Sequence, residues 1–161
     1  MKLAKLFEMQ RKLDAFIETN QEIRTDVFME KGLALLVELA ELANETRCFK
    51  FWSTKGPSER HVILEEYVDS VHFLLSLGIE KGLDHLEEWP IGKQSGSLTE
   101  LFILAQEEIL YFLKNPELTP YRKVWELYNA IAEGLGFTNE EIILAYIQKN
   151  DKNYERQRNG Y

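Results

Sequence analysis

The stretch GLALLVELAELANE, residues 32–45, has the apolar spacing of an α-helix and carries two glutamates inside it. From Leu33 to Ala43 every residue is apolar except Glu38 and Glu41. A spacing of three residues places both carboxylates on one helix face, one turn apart. A solvated helix face would normally include lysine, glutamine or serine among its acids. This segment therefore predicts a helix that holds two carboxylates beside apolar neighbours.

A second acidic pair stands in HVILEEYVDSVHFLLSLGI, residues 61–79. Glu66 and Asp69 repeat the three-residue spacing, whereas Glu65 points about 100° away and is expected at the surface or behind the other acids. Burying a carboxylate without a partner is costly. Two such pairs on antiparallel helices can meet at one point, where carboxylate oxygens suit Mg²⁺, with Mn²⁺ as a possible substitute. We therefore expect a metal site between the second and third helices; the alternative is an ordinary solvated acidic face.

The rest of the chain also has helical periodicity, and an all-α helical bundle of about six helices is expected. Ser97 with Glu100 and Thr138 with Glu141 match the capping box that begins a helix. Alternation typical of a strand is lacking, and residues 82–96 form the longest irregular connection. The predicted helices cover residues 2–19, 26–47, 59–78, 97–115, 119–135 and 138–157.

Two further helix starts are predicted from single residues. Ser58 follows a glycine and a proline and is a candidate N-cap of the third helix. Thr119 precedes Pro120, which would then occupy the first position of the fifth helix.

Length, charge and cysteine content restrict the class of protein. With 161 residues, the chain is expected to form one domain over residues 1–161. A net charge of −8 disfavours binding to nucleic acid or to an anionic membrane. The single Cys48 excludes an internal disulfide and a cysteine-cluster metal site. Since the N-terminal residues also lack the apolar core of a secretion signal, a cytoplasmic location is expected.

The last part of the chain is basic in an otherwise acidic protein, with Lys149, Lys152, Arg156 and Arg158 close together. Lys149, Asn153 and Arg156 are spaced by four and three residues and share one helix face. These donors suit an anion with several oxygens, such as a polyphosphate. The alternative is a solvated helix end whose positive charge complements the helix dipole. Combined with the acidic pairs, the basic face favours a metal–nucleotide site.

The arrangement of these motifs resembles the dimeric all-α dUTPases, a branch of the MazG-like helical nucleotide pyrophosphatases. The resemblance spans nearly the whole chain, and its closing motif is the longest and most specific part. At the position of Asp14 the family often has asparagine. The resemblance rests on the two acidic pairs, the aromatic segment Phe49-Lys50-Phe51-Trp52-Ser53, Asp69 followed by His72 and Phe73, the spaced residues from Tyr146 to Tyr161, and Met9-Gln10 with Leu13-Asp14.

The resemblance implies hydrolysis of dUTP, and of dUDP, to dUMP with release of pyrophosphate or phosphate and with Mg²⁺ as cofactor. It implies that Glu38, Glu41, Glu66 and Asp69 hold the metal. One of the glutamates, Glu41 in preference to Glu38, would orient or deprotonate the attacking water.

The resemblance also implies contacts to the rest of a deoxynucleotide. Lys149, Asn153 and Arg156 would hold the phosphates. Gln10 would hydrogen-bond the uracil base, and Trp52 would pack against it.

A homodimer is a further implication of the resemblance. The predicted fourth and fifth helices support it, because their apolar positions extend more than halfway around each helix. These positions are Leu101, Phe102, Leu104, Ile109, Leu110, Tyr111, Phe112, Val124, Trp125 and Tyr128.

Other functions stay open at this point. The nearest is a broader (d)NTP or dCTP pyrophosphatase of the same superfamily. Asp69 followed three residues later by His72 also resembles half of a di-iron site, which favours a di-metal-binding bundle, although a single histidine of this kind more often belongs to the core. A non-catalytic helical interaction protein is the third alternative.

Overall fold

The computed structural model describes residues 1–160, and over that range the chain folds into six α-helices. Backbone pairing of the β type within the described range consists of an isolated bridge between Lys2 and Glu88. The predicted all-α class and the number of helices are therefore confirmed. The helices are α1 (Ala4–Asn20), α2 (Phe28–Thr46), α3 (Arg60–Glu80), α4 (Leu98–Lys114), α5 (Leu118–Leu135) and α6 (Asn139–Arg158).

Helix α3 is the centre of the bundle. Its buried residues lie on all sides over its second half, which is the pattern of a helix surrounded by protein. It packs against α1, α2 and α6, and two hydrogen bonds tie it to α5. The Tyr67 hydroxyl donates to the Tyr128 carbonyl at 2.9 Å, and the Tyr121 hydroxyl donates to the Leu74 carbonyl at 2.9 Å. Side chains on α3 are consequently held in fixed positions relative to four other helices.

Helices α2 and α3 run antiparallel. The Ser58 hydroxyl, just before α3, donates to the carboxylate of Glu45 near the end of α2. At the opposite end, Lys31 in the first turn of α2 pairs with Glu80 in the last turn of α3. This orientation brings the middle of α2, with its first acidic pair, beside the middle of α3, with the second.

Both predicted capping boxes are present, at Ser97 with Glu100 and at Thr138 with Glu141. The N-cap predicted at Ser58 is wrong, because α3 begins at Arg60 with Glu59 as its N-cap. The Ser58 hydroxyl is engaged by α2 instead of capping its own helix.

The start predicted for the fifth helix is also wrong. Helix α5 begins at Leu118 with Glu117 as its N-cap, so Pro120 occupies the third helical position and Thr119 the second. Proline is tolerated there because the N–H groups of the first turn have no acceptor within the helix.

The excess of apolar positions on α4 and α5 is explained largely by burial inside this chain. Seven of the ten positions offered as evidence for a dimer are buried in the core of the described residues. The other three are exposed, with 41% for Leu104, 48% for Leu110 and 54% for Tyr111. A dimer contact predicted from the apolar surface of these helices is therefore wrong for the seven buried positions: Leu101, Phe102, Ile109, Phe112, Val124, Trp125 and Tyr128.

A glycine on α3 allows the close contact with α5. A Cβ atom at Gly78 would overlap the hydroxyl and ring of Tyr121, which is fully buried and cannot move freely. Overpacking typically costs about 1–3 kcal/mol, and the better helix propensity of alanine returns at most about 1 kcal/mol. We expect Gly78→Ala to lower the free energy of unfolding by about 1–2 kcal/mol, measured by urea denaturation.

Gly56→Ala is the matched control, because a Cβ atom there meets open space. Its effect should stay within about 0.5 kcal/mol. Equal stability of Gly78→Ala and the wild type would show that α3 and α5 are not tightly packed at this point.

Candidate active site

Three carboxylates from two helices converge between α2 and α3. Glu38 on α2 and Glu66 and Asp69 on α3 each offer an oxygen, and these oxygens lie within 4.8 Å of one another. Leu35, Leu39 and Leu42 are fully buried and hold this part of α2 in place. We call Glu38, Glu66 and Asp69 the acidic cluster.

Glu41 was expected as a fourth member of the acidic cluster. It lies one turn beyond Glu38 on α2, is exposed, and stands outside the group of converging carboxylates within residues 1–160. Its negative charge nevertheless contributes to the raised pKa of Glu38 and of Glu66. Glu41 therefore lies at the solvent side of the acidic cluster.

Burial and mutual repulsion raise the pKa values of the acidic cluster. The pKa of Glu38 rises to about 7, chiefly through burial and then through the charges of Asp69, Glu41 and Glu66. Burial also raises the pKa of Glu66 and of Asp69. Ionising all three carboxylates is unfavourable unless a cation is nearby. The donor set, which is entirely carboxylate oxygen, fits a hard divalent ion such as Mg²⁺.

Helix α6 supplies a lysine to the same place. Lys149 is only 8% exposed, and its Nζ donates to Asp69 Oδ2 at 2.6 Å and to Glu65 Oε1 at 2.8 Å. Burial opposes the charge of Lys149, but the hydrogen bonds to Asp69 and Glu65 raise its pKa overall. Lys152 donates to the same Glu65 oxygen at 2.9 Å. Hydrogen bonds from the two lysines lower the pKa of Glu65 to about 2.

A cavity of about 310 Å³ lies next to the acidic cluster, which is within the range of small-molecule sites, roughly 300–1,000 Å³. Its wall on α3 runs from Asp69 to Ser76, a distance of about 10 Å at 1.5 Å per residue. Because α2 is antiparallel to α3, Glu38 lies at the same end of the cavity as Asp69. Lys31, near the start of α2, lies at the opposite end of the cavity. Further lining comes from Asn153, Arg156 and Gln157 on α6 and from the apolar Leu13, Ile17, Ile23, Val27 and Phe73.

Polar side chains at the end away from the acidic cluster form a connected network. Gln10 Nε2 donates to Asp14 Oδ1 at 2.7 Å, and the Ser76 hydroxyl donates to Asp14 Oδ2 at 2.6 Å. Gln10 Oε1 accepts from the Tyr146 hydroxyl at 2.8 Å and faces His72 Nδ1 at 2.7 Å. These contacts fix the orientation of the Gln10 amide, with its nitrogen toward Asp14. Burial raises the pKa of Asp14.

His72 belongs to the cavity wall and not to the acidic cluster. Its ring stacks on Tyr146 with centroids 4.1 Å apart, and burial lowers its pKa to about 3, so the ring is neutral. Since Nδ1 faces the Gln10 oxygen, Nδ1 carries the proton and Nε2 is an acceptor. Nε2 is buried and has no hydrogen-bond partner among the residues that the structure describes.

The predicted base contact Trp52 lies outside this cavity, as far as the described residues define its walls. Its side chain is 65% exposed, and its ring makes edge contacts with Phe49 and Phe51 at 6.0 and 5.1 Å between centroids. A contact between Trp52 and a molecule in the cavity would require movement of this aromatic segment or a second copy of the chain.

Sequence reasoning did not single out Ser76, Lys31 and Gln157 as cavity residues. One signal was available for Ser76, because Asp69, His72 and Ser76 are spaced by three and four residues and share one face of α3. Gln157 similarly follows Asn153 by four residues on the basic face of α6. Lys31 has no such helical spacing relative to the other predicted site residues. Its side chain lines the cavity, where it pairs with Glu18 and Glu80.

Comparison with known families identifies the class of enzyme. The family model described as dUTPase matches residues 2–161, so the chain belongs to the dUTPase family. It is accordingly a hydrolase, a dUTP diphosphatase that acts on a deoxynucleotide. No curated protein matches the chain. A separate observation is that none of the helices within residues 1–160 has the length and apolarity needed to cross a membrane.

The raised pKa of Glu38 predicts how stability depends on pH without metal. A carboxyl that binds its proton more tightly in the folded state makes stability fall as pH rises between its ordinary pKa of 4.5 and about 7. Glu38→Gln removes this loss. In EDTA we expect the variant to be at least as stable as the wild type at pH 8, with its relative advantage vanishing near pH 5. Urea denaturation followed by circular dichroism measures both values.

Glu87→Gln, at an exposed position in the connection between α3 and α4, serves as the control and should give the same dependence of stability on pH as the wild type. If Glu38→Gln is less stable than the wild type at pH 8 in EDTA, the carboxylates of the acidic cluster do not repel one another as described.

Proposed function

We propose that this enzyme hydrolyses dUTP, and also dUDP, to dUMP in a Mg²⁺-dependent reaction that releases pyrophosphate or phosphate. One observation carries the proposal: Glu38 and Asp69 of the acidic cluster line the same cavity as the basic face of α6. A divalent ion and a polyphosphate need these two kinds of side chain next to each other.

Glu38, Glu66 and Asp69 would hold the metal, with Glu41 at the solvent side of the acidic cluster. When bound, Mg²⁺ would neutralise charge on the phosphates and make a bound water easier to deprotonate. Mn²⁺ is expected to substitute, because it also prefers carboxylate oxygens.

A carboxylate oxygen of Glu41 is our preferred acceptor for the proton of the attacking water, with Glu38 as the alternative. Glu41 is exposed, so water reaches it, and it stands apart from the three converging carboxylates of the described chain. Glu38 is more buried and carries the most strongly raised pKa of the acidic cluster.

Lys149, Asn153 and Arg156 would bind the phosphates. All three line the cavity from one face of α6. Lysine and arginine provide charge-assisted hydrogen bonds to phosphate oxygens, and the asparagine amide adds a neutral donor.

The base would lie toward the network of Gln10 and Asp14. Gln10 Nε2 has a second N–H besides the one donated to Asp14, and it can donate to a uracil carbonyl. The Asp14 carboxylate has further lone pairs that can accept from the uracil N3–H. Trp52 is proposed to pack against the base after movement of the aromatic segment or from a second copy.

A second candidate function, a broader or dCTP-directed pyrophosphatase, is favoured by the same pair of side chains. Cytosine presents its exocyclic amine and N3 as an adjacent donor and acceptor, and Asp14 and Gln10 can satisfy both. Asp14 and Gln10 alone would therefore discriminate weakly between dCTP and dUTP, and strong discrimination requires other side chains of the cavity.

A homodimer is part of the proposal. Met29, Leu33 and Val37 form a stripe along α2 and are 62%, 63% and 47% exposed. The neighbouring helix α4 exposes Leu104, Leu110 and Tyr111. The next residue of the α2 stripe at the same spacing is Glu41, so a second copy on this surface would lie beside the solvent side of the acidic cluster.

The chain is proposed to act as one domain over residues 1–161. A cytoplasmic location is also proposed, because a chain with the single cysteine Cys48 needs no oxidising compartment for internal disulfides.

The proposed activity is tested by pyrophosphate release from dUTP, dCTP, dTTP and UTP with Mg²⁺, with Mn²⁺ and in EDTA. We expect dUTP to have the highest kcat/KM, no turnover in EDTA, and partial activity with Mn²⁺. A site whose buried polar groups are left unpaired by an analogue rejects that analogue by up to about 10⁴–10⁵-fold; the rejection of dCTP should be smaller, because Asp14 and Gln10 can pair with cytosine. Glu38→Gln should lose nearly all turnover while remaining folded.

Glu87→Gln, outside the cavity and outside the proposed dimer surface, is the matched control and should keep wild-type turnover. Comparable kcat/KM values for dCTP and dUTP would favour the second candidate function. Full turnover by Glu38→Gln would contradict the metal assignment.

Light scattering coupled to size exclusion tests the homodimer. We expect a mass of twice the 18.9 kDa of one chain, and a shift toward the monomer in Leu33→Asp, because a charge would be buried in the interface. Leu144→Asp on α6 is the control, since Leu144 has a similar exposure of 58%. A wild-type monomer at micromolar concentration would contradict the proposal.

A further inference from the structure

Lys149 occupies a position that conflicts with metal binding. Its Nζ lies 2.6 Å from Asp69 Oδ2, and Asp69 is a member of the acidic cluster whose oxygens lie within 4.8 Å of one another. Metal–oxygen distances for Mg²⁺ are about 2.0–2.1 Å, so an ion on the acidic cluster and the ammonium of Lys149 would share one carboxylate. Two cations on one carboxylate repel each other strongly, more so when one is divalent.

The charges around Lys149 explain why it lies there. The side chain is 91% shielded from solvent, and a buried ammonium requires partners. Asp69 and Glu65 supply them. In return, Lys149 offsets part of the repulsion among the carboxylates, and its charge lowers the otherwise raised pKa values of Glu38 and Glu66.

We propose that Lys149 acts as a stand-in for the metal ion, neutralising Asp69 until a divalent ion displaces it from that carboxylate. This inference rests on the proposed function, because it takes the acidic cluster as the metal site. Metal binding then includes the cost of breaking the hydrogen bond between Lys149 and Asp69.

Glu65 keeps the displaced lysine near the cavity. It holds Lys149 at 2.8 Å through an oxygen that does not belong to the acidic cluster. After displacement from Asp69, this second hydrogen bond retains the ammonium beside the cavity, where polyphosphate oxygens can take the place of the Asp69 carboxylate. Glu65 is thus a positioning residue for Lys149.

The stand-in role predicts opposite effects of one substitution. Lys149→Gln should bind metal more tightly than the wild type, because no ammonium competes for Asp69. It should also turn over more slowly, because a phosphate-binding cation is lost. If Lys149 had a purely structural role, its replacement would damage the fold and weaken metal binding. Tighter metal binding together with slower turnover therefore distinguishes the stand-in role from a structural one.

The test measures Mn²⁺ affinity without nucleotide, by the electron paramagnetic resonance signal of free Mn²⁺. We expect the Kd of Lys149→Gln to be about tenfold lower than that of the wild type, the scale of one charge-assisted hydrogen bond. Lys152→Gln is the matched control. It removes the same charge one turn away, from a side chain that is 49% exposed and bonded to Glu65, and should change the Kd by less than about threefold.

Two further measurements separate the possible failures. Asp69→Asn should greatly weaken Mn²⁺ binding; if it does not, the metal site of the proposed function fails, and the stand-in role fails with it. If Asp69→Asn weakens binding but Lys149→Gln does not tighten it, or Lys152→Gln tightens it equally, only the stand-in role is overturned.

A measurement on the wild type covers the case in which Lys149→Gln does not fold. In protein labelled with ¹⁵N-lysine, the buried ammonium of Lys149 should give a slowly exchanging signal that shifts or disappears as Mg²⁺ is added. A signal that persists unchanged at saturating Mg²⁺ would overturn the proposal.

Discussion

The repulsion among three partly buried carboxylates constrains the rest of this structure. At separations up to 4.8 Å, two unit charges at an effective dielectric constant of 20 repel by on the order of 3 kcal/mol. Burial and, after it, this repulsion raise the pKa of Glu38 to about 7. A domain is only marginally stable, so the arrangement persists because the surrounding helices hold it and because cations can offset it.

Apolar packing on the opposite sides of α2 and α3 holds the three carboxylates together. Leu35 and Leu39 anchor α2 on either side of Glu38, and Tyr67 and Val68 precede Asp69 on α3. All four are buried, and the Tyr67 hydroxyl is bonded to α5. The acids cannot separate without disrupting the core, so the acidic cluster stays together whether or not a cation binds.

Charge compensation links the site to the end of the chain. Lys149 comes from the last helix and reaches acids some eighty residues earlier on α3. The same helix places Tyr146 against Gln10 and His72, so α6 joins both ends of the cavity. Changes at either end are therefore expected to act through α6.

Local pattern in the sequence determined the six helices, the two capping boxes and the spacing of the acidic pairs, because these depend on residues within one or two turns of each other. Only the tertiary structure decided which apolar positions of α4 and α5 are buried, because a helix surface does not reveal which neighbours cover it. Contacts between helices also set Ser58 on Glu45, Lys149 between Asp69 and Glu65, and Ser76 on Asp14. The contacts of Lys149 and Ser76 join residues far apart in the chain, whose distance depends on how the whole bundle packs.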